Sequence, residues 1–280
     1  MSDALIHVCG LIAYDGTEYH GFQLQSGVPT IQGMLESALQ TVTGTFVRVT
    51  GSGRTDTGVH ASGQVVAMHV PWRHPVESLQ RAMNVHLPVS VTVRGLQPAP
   101  AGFHPRFSAV SRTYRYTVYD QGPVNGKALT SRATPKRSPL TDRFALYVPA
   151  LLNVAAMNQA MKHLLGEHDF ATFGQPPQGE KTIRQLYQAE WQVVEPSLPP
   201  LSCYPGRCLV FTVCANAFLR QMVRNLVGVA LAVGRGQWGE SDVQQALAAC
   251  DRSRCTPPAP PQGLVLETVA YGDLLPVWPE

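Results

Sequence analysis

Apolar positions in the first hundred residues follow two different periods. Residues 6–13 are almost uniformly apolar, which is typical of a strand. After Thr30, a suitable N-cap, the apolar spacing becomes helical. A second helix is predicted to start near Pro75. Further strands are predicted over 46–50, 64–70 and 89–96, so the order is strand, helix, strand, strand, helix, strand.

The second half repeats this order. The pattern predicts strands over 111–119, 183–194, 209–214 and 264–271, a helix capped by Asn153 and stopped by Gly166, and a long, largely buried helix over 216–234 with Asn216 as its N-cap. Ser241 and Gln244 resemble a capping box for one extra helix. Two successive βαββαβ units, each a split βαβ of the RRM or ferredoxin-like kind, indicate an internally duplicated α+β protein. Their sheets are expected to join into one mixed platform, with helices on one side and a central cleft.

Proline and glycine are concentrated in residues 98–102, which places a boundary between two subdomains, 1–100 and 101–280. No apolar run approaches a membrane span, and the first residues lack the features of a signal peptide, so we expect a cytoplasmic protein with no membrane contact. None of the six cysteines forms a CxxC pair, which argues against disulfides and zinc. The GxGxxG match at 234–239 follows a helix rather than a strand, so no cofactor site is predicted.

The net charge is only +3, but 18 of the 22 basic residues are arginine. Arginine binds phosphates bidentately and stacks on bases, although codon bias or thermal adaptation would give the same composition. A basic, proline-containing segment at 131–143 is expected to be an exposed loop. The positions of the other arginines therefore carry more information than their number.

The glycine-rich stretch 51–63 contains Arg54 and Asp56. A nearby guanidinium can keep a carboxylate ionised and oriented, which would make Asp56 a candidate nucleophile or general base. The alternative is an Asx-turn, in which the carboxylate only bonds its own backbone.

Residues 103–119 mix arginines with aromatic residues. Alternation along the predicted strand places Arg112, Tyr114 and Tyr116 on one face, and Arg106 lies just before it. Such a surface suits base stacking and phosphate contacts. The alternative is a half-buried strand whose tyrosines lie under a helix.

The predicted helix 216–234 carries Arg220 and Arg224, four residues apart on one face of its first turns. Cations at a helix N-terminus oppose the macrodipole, so these arginines need an anionic partner. Asp56 and an RNA phosphate are the candidates, and an unrelated structural ion pair is the alternative. The sequence at His168–Asp169 is interpreted as a C-cap turn, with Phe170 and Phe173 as core anchors.

Eight stretches, in order along nearly the whole chain, resemble the tRNA pseudouridine synthase A family. Thr57 replaces the usual alanine, Phe22 replaces the usual tryptophan, and 120–145 is more divergent. The stretches are YDGTEYHGFQ (14–23), TIQGMLESAL (30–39), GSGRTDTGVHASGQV (51–65), NVHLP (84–88), FHPRFSAVSRTYRY (103–116), LLGEHDFATF (164–173), NAFLRQMVRNLVG (216–228) and APPQGLVLETVAY (259–271).

The resemblance implies the pseudouridine-synthase fold and isomerisation of uridines 38, 39 and 40 of tRNA, without cofactor or metal, by a homodimer. Asp56 would attack either C1′ of the ribose or C6 of the base. Tyr114 would stack on the base and assist loss of the C5 proton, and Arg224 would pair with Asp56, with Arg220 as the second choice. Arg54 would hold the flipped nucleotide or its backbone. A non-catalytic RNA-binding protein and, less favoured, a glycoside hydrolase are the alternatives.

Overall fold

The computed structural model describes residues 5–122, 138–176, 179, 181–195, 206–275 and 278. The predicted α+β class is confirmed. The chain forms two compact units, the first from residues 1–112 with 265–280 and the second from 113–264. In these described ranges no helix has the length and apolar character needed to cross a membrane.

The first unit has the predicted order of elements and one addition from the end of the chain. In its sheet the strands are ordered β4-β1-β3-β10, with β2 paired to β3. β1 is antiparallel to β3 and β4, whereas β10 is parallel to β3. The elements are β1 (Leu5–Tyr14), α1 (Ile31–Thr43), β2 (Thr50–Gly51), β3 (His60–Pro71), α2 (Val76–His86), β4 (Val91–Pro98) and β10 (Leu264–Ala270).

Local signals set the ends of α1. The Thr30 hydroxyl accepts the backbone N–H of Gly33 at 3.2 Å, as predicted, and Gly44 ends the helix in the left-handed region at φ 72°. α1 packs against α2, and α2 packs against β4. Their apolar faces form a core with fully buried side chains, including Ile31, Leu35, Leu39, Leu79 and Met83.

The strand predicted over 46–50 is wrong except for its last residue. Side chains of α1 take up the backbone groups of Val49: its N–H donates to Glu36 Oε1 at 3.0 Å, and its carbonyl accepts from Gln32 Nε2 at 3.1 Å. These groups are not available to a neighbouring strand, so β2 is limited to Thr50–Gly51.

In the second unit the strands are ordered β5-β9-β8-β7, and β6 is parallel to β5. β8 is antiparallel to β7 and β9. Helix α3 packs against β8, α4 and α5. The elements are β5 (Ser111–Asp120), β6 (Leu146–Tyr147), α3 (Val154–Lys162), β7 (Gly166–Asp169), β8 (Ile183–Val194), β9 (Arg207–Ala215), α4 (Met222–Gly234) and α5 (Glu240–Ala249).

The region after α3 differs from the prediction. Asn153 caps the helix as expected, but α3 ends at Lys162, and Gly166, at φ 95°, begins a strand. The expected C-cap turn at His168–Asp169 is therefore wrong, because these residues belong to β7 and pair with β8. Phe170 and Phe173, in contrast, are fully buried, as predicted.

The start of α5 also differs. The helix begins at Glu240, and the backbone N–H of Gly239 donates to Asp242 Oδ2 at 2.7 Å. The capping box predicted from Ser241 and Gln244 is wrong because both residues already lie inside the helix.

One prediction falls partly beyond the described residues. In the basic segment 131–143, residues 131–137 lie outside them, and Arg143 is exposed in a run of turns. The subdomain boundary placed at 100/101 stays a prediction.

Candidate active site

Asp56 lies in the loop between β2 and β3, residues 52–59, called here the Asp56 loop. A backbone bond from the Val59 N–H to the Asp56 carbonyl, 3.1 Å, closes a turn in which Gly58 has φ 76°. The Asp56 residue is half-buried. At the other end of the loop, the Ser52 N–H donates to the Val65 carbonyl at 2.8 Å. The loop is thus anchored at both ends to the main chain.

Buried polar side chains hold the middle of the Asp56 loop. Tyr14 Oη and Thr55 Oγ1 are 2.8 Å apart. Gln64 accepts from Ser52 Oγ at 2.5 Å, and its Nε2 donates to the Gly53 carbonyl at 3.2 Å. The first two of these bonds are buried, so they are shielded from water and fix the loop strongly.

The chain after β1 supports the same loop. The Gly16 N–H donates to His60 Nδ1 at 3.1 Å, and that nitrogen is also 3.1 Å from Asp15 Oδ1. The Phe22 N–H donates to the Thr55 carbonyl at 3.1 Å. A Cβ on Gly16 would lie 2.0 Å from the Val59 carbonyl oxygen, so this approach requires glycine. Residues 14–23 are visible in the sequence as a family motif but not as a support for the loop, because the residues that they contact are about forty positions away.

The predicted arginines of the first unit have different environments. The Arg54 side chain is exposed and forms no hydrogen bond or ion pair within the described ranges. Arg106 is exposed and lies 5.6 Å from the ring centroid of Phe107. Arg112 Nη2 donates to the Arg106 carbonyl at 2.7 Å and to the Ser52 carbonyl at 3.4 Å. Arg112 thus connects the start of the Asp56 loop to the segment before β5, and a role in RNA binding stays a prediction.

The helix predicted from Asn216 begins six residues later. Asn216 does not cap it: its Oδ1 accepts the N–H of Gln185 at 3.1 Å and of Ala217 at 2.7 Å. Arg220 forms an antiparallel bridge with Gln175. The next residue, Gln221, has φ 62°, and α4 starts only after it.

The predicted pairing of Arg220 and Arg224 on one helical face is therefore wrong. Arg220 precedes the helix and has an exposed side chain, whereas Arg224 is half-buried in the first turn of α4. Arg224 Nε donates to the Ala259 carbonyl at 2.7 Å, and the Ala259 N–H returns a bond to the Arg224 carbonyl at 2.9 Å. Of these two arginines, Arg224 is the one whose guanidinium is held by a hydrogen bond among the described residues.

The tyrosines of β5 are not equivalent. Tyr114 is half-buried and meets Phe218 edge-on, with ring centroids 5.2 Å apart. Tyr116 is fully buried, and its hydroxyl donates to the Pro260 carbonyl at 2.8 Å. Burial raises the pKa of Tyr116 far above its ordinary value, and the charge of Arg224 opposes that shift. Tyr116 is therefore a core residue, and Tyr114 is the better candidate for contact with a base.

The first unit thus carries Asp56, Arg54, Arg106 and Arg112, and the second carries Tyr114, Arg220 and Arg224. Over the described ranges, no group of three or more His, Cys, Asp or Glu side chains is arranged to hold a metal ion.

Comparison with known proteins defines the class. A family model described as tRNA pseudouridine synthase matches residues 11–108 and 160–272. The chain therefore belongs to the tRNA pseudouridine synthase family, whose members are isomerases. The matched ranges include Arg54, Asp56, Arg106, Arg220 and Arg224, the last two in the second range. Arg112 and Tyr114 lie between the two matched ranges.

Individual relatives carry the name tRNA pseudouridine synthase A. The protein of Chloroflexus aurantiacus is 39% identical over 271 residues, covering 96% of this chain and 90% of the relative. A Roseiflexus protein is 41% identical over 260 residues (93% and 88%), and that of Geobacillus kaustophilus is 37% identical over 265 residues (94% and 93%). The family resemblance found in the motifs is confirmed. A solved structure of an H/ACA RNP with a substrate RNA matches weakly, with a TM-score of 0.35 at 14% identity over 82% of this chain and 44% of that chain.

Proposed function

We propose that this protein isomerises uridine to pseudouridine at positions 38, 39 and 40 of tRNA, with Asp56 as the nucleophile. The observation that carries the proposal is the Asp56 loop. A half-buried aspartate lies in a turn that is held by buried side chains and by the backbone of two other segments. A solvated loop aspartate needs no such framework, whereas a nucleophile must be held within a fraction of an ångström of its attack geometry.

The reaction needs neither an oxidant nor a co-substrate. The Asp56 carboxylate attacks C1′ of the ribose or C6 of the uracil, and the bond between C1′ and N1 breaks. The freed base turns within the active site and C5 bonds to C1′, and the bond to the Asp56 carboxylate breaks, which returns the carboxylate unchanged. Loss of the C5 proton and gain of one proton at N1 then complete an isomerisation in which no atom is lost.

The other residues have supporting roles. Tyr114 stacks on the target base and assists removal of the C5 proton, since it is the β5 tyrosine that is not enclosed in the core. Arg224 pairs with the Asp56 carboxylate, as the family resemblance implies, and the bond from its Nε to the Ala259 carbonyl helps to fix the guanidinium. Arg220 is the weaker candidate for that pairing because it precedes the helix. The exposed Arg54 and Arg106 bind the RNA, and Arg112 supports the loop.

Removing a nucleotide from a stacked stem costs a few kcal/mol, which contacts to the RNA backbone must offset. Arg54, whose side chain is exposed next to the Asp56 turn, would occupy the space in the stem that the flipped nucleotide leaves. We further infer that the protein acts in the cytoplasm as a homodimer, as the family resemblance implies. Light scattering of the purified protein tests the dimer.

The test uses an unmodified tRNA transcript that has uridines at 38, 39 and 40. Carbodiimide adducts read by reverse transcription locate pseudouridine to the nucleotide. We expect stops at these positions with the wild-type protein and none with Asp56→Ala, because the nucleophile is gone. Asp273→Ala, which removes an exposed carboxylate elsewhere in the first unit, is the matched control and should act like wild type. Tight tRNA binding without product by the wild type would instead indicate a non-catalytic RNA-binding protein.

A further inference from the structure

A surface cavity of about 300 Å³ in the first unit is lined by four nitrogen-bearing side chains, and none of its lining residues is a carboxylate. The four are His7, Arg48, His69 and His104, and we call this site the histidine–arginine pocket. The rest of its lining is apolar apart from Thr50. A cavity with this lining suits an anion with several oxygen atoms.

The imidazoles are fixed by the sheet and by the segment after β4. His7 and His69 are directly paired between β1 and β3, and their rings stack with centroids 4.2 Å apart. His104 Nδ1 accepts the backbone N–H groups of Arg106 and Phe107, at 3.1 and 3.3 Å. A neutral imidazole that accepts at Nδ1 carries its proton on Nε2, so His104 offers a donor there.

Arg48 is held from one end only. Its Nη1 lies 3.3 and 3.2 Å from the two oxygens of Glu36, which is almost fully buried. The Arg48 side chain is nevertheless 56% exposed. Within the described residues, Nη1 is the only guanidinium nitrogen of Arg48 that forms a hydrogen bond. The other two nitrogens therefore remain for a bidentate contact with a phosphate.

Two exposed phenylalanines stand next to this pocket, each beside an arginine. Phe46 is 59% exposed, with the Arg48 guanidinium carbon 4.9 Å from its ring centroid. Phe107 is 75% exposed and lies against His104, with centroids 4.3 Å apart. Exposed aromatic rings among cations are the arrangement on which proteins stack unpaired bases.

We propose that the histidine–arginine pocket binds a phosphate of the tRNA outside the modified loop, while Phe46 and Phe107 stack on neighbouring unpaired bases. The inference rests on the proposed function, because it assumes an RNA substrate. The pocket adjoins the start of the Asp56 loop, because Thr50 lines it, but Asp56 itself lies in the turn near the other end of that loop. From His60, which follows that turn, to Ala67 in the pocket is seven residues of β3, roughly 23 Å at about 3.3 Å per residue.

The ionisation of His7 should respond to this occupant. Burial, and then the neighbouring His69, lower the pKa of His7 in the free protein. The charge of a bound phosphate would raise that pKa, since an anion favours the charged imidazole.

The experiment compares full-length tRNA with an isolated anticodon stem-loop, using Arg48→Gln, Phe46→Ala and a control, Arg81→Gln. Arg81 is an exposed arginine of α2, so Arg81→Gln removes the same charge as Arg48→Gln. With full-length tRNA we expect Arg48→Gln to raise KM about tenfold and to reduce the salt slope of binding by about one. With the stem-loop, neither variant should change KM. Arg81→Gln should match wild type on both substrates.

Phe46→Ala keeps the experiment decisive if Arg48→Gln is unstable, because it leaves the Arg48–Glu36 pair in place. It should weaken full-length tRNA binding at least fivefold, as loss of one stacked base does. Equal losses of affinity for full-length tRNA and for the stem-loop would overturn the proposal. An unchanged salt slope would also overturn it, and would mean that the pocket binds a different partner. If the wild type makes no pseudouridine on either RNA, the proposed function fails, and the binding slopes still decide the pocket.

Discussion

Two irregular segments, one in each unit, present charged residues and are held in different ways. The Asp56 loop is held by buried side chains in addition to its main-chain bonds, with Tyr14, Gln64 and His60 bonded to it or to its neighbours. The segment before α4 depends less on side chains: the main-chain bridge between Gln175 and Arg220 holds its end, and the Asn216 side chain holds its start. Single side-chain changes should therefore disturb the first segment more readily than the second.

A buried polar side chain fixes the helix that follows the second segment. Asn225, fully buried in α4, donates to the Phe173 carbonyl at 2.7 Å and accepts from Arg252 Nη2 at 3.1 Å. Asn225 fixes the position of α4, and hence of Arg224, without shaping the segment that precedes the helix. The position of Arg224 is thus set by helix α4, whereas the position of Asp56 is set by its loop.

The largest effect is expected for Gly16→Ala. The new Cβ would meet the Val59 carbonyl oxygen at 2.0 Å and push the Asp56 loop away. Displacement of a catalytic group by about 1 Å can cost about a hundredfold in kcat, and overpacking costs about 1–3 kcal/mol in the free energy of unfolding. Pseudouridine assays and urea denaturation measure the two losses. Gly53→Ala is the control for stability, because its Cβ would contact nothing within 4 Å. Wild-type activity in Gly16→Ala would show that the loop tolerates displacement.

Asn225→Leu tests the second unit. The Phe173 carbonyl and the Arg252 guanidinium each lose a partner, so the free energy of unfolding should fall by about 1–3 kcal/mol. Denaturant titration measures it, with the exposed Gln237→Leu as the control. A change below about 0.5 kcal/mol, as for ordinary surface substitutions, would mean that the amide does not fix α4.

Tyr14→Phe sharpens the comparison inside the first unit. It removes the buried bond to Thr55 Oγ1 and should cost about 1 kcal/mol in the free energy of unfolding. We also expect kcat to fall about fivefold, the kinetic equivalent of about 1 kcal/mol, because Thr55 adjoins Asp56. Tyr19→Phe, which loses a bond to Ser90 Oγ at 2.7 Å, should lower the free energy of unfolding by a similar amount but leave kcat unchanged. Equal kinetic effects in the two variants would argue against a specific role of Tyr14.

The smallest effect concerns pH. Because the pKa of His7 is lowered in the folded protein, the unfolded chain binds this proton more readily, and stability falls as the pH drops below about 6.5. His69→Gln removes the second cause of the shift, so the His7 pKa should rise toward its ordinary value. NMR titration of the imidazole signals measures it. An unchanged His7 pKa would leave burial as the sole cause.

Much of the fold followed from the pattern of apolar residues. The caps at Thr30 and Asn153, the longer strands of both units and the buried Phe170 and Phe173 were predicted from short stretches of sequence, whereas β6 and β7 were not. Two of the errors share a cause: a side chain or backbone group that would serve a local element is bonded to a partner elsewhere in the chain. Val49 is bonded by Gln32 and Glu36, and Asn216 by Gln185.

The candidate site divides in the same way. The glycine-rich loop and its aspartate are visible in the sequence, because glycine spacing and a charge inside it are local signals. The partners that hold the loop could not be predicted, since Tyr14 and His60 form hydrogen bonds with residues more than forty positions away. Helical spacing predicted that Arg220 and Arg224 share one face, but α4 begins only after Gln221, so Arg220 is not part of the helix.

The sequence by itself determined the α+β class, the family and the identity of Asp56 as the residue of interest, because periodicity and motifs are written in neighbouring residues. Only the tertiary structure decided that Arg112 supports the loop, that Tyr116 is core while Tyr114 is accessible, and that three histidines and Arg48 line one cavity. Those properties depend on hydrogen bonds and burial between segments far apart in the chain, which local spacing does not encode.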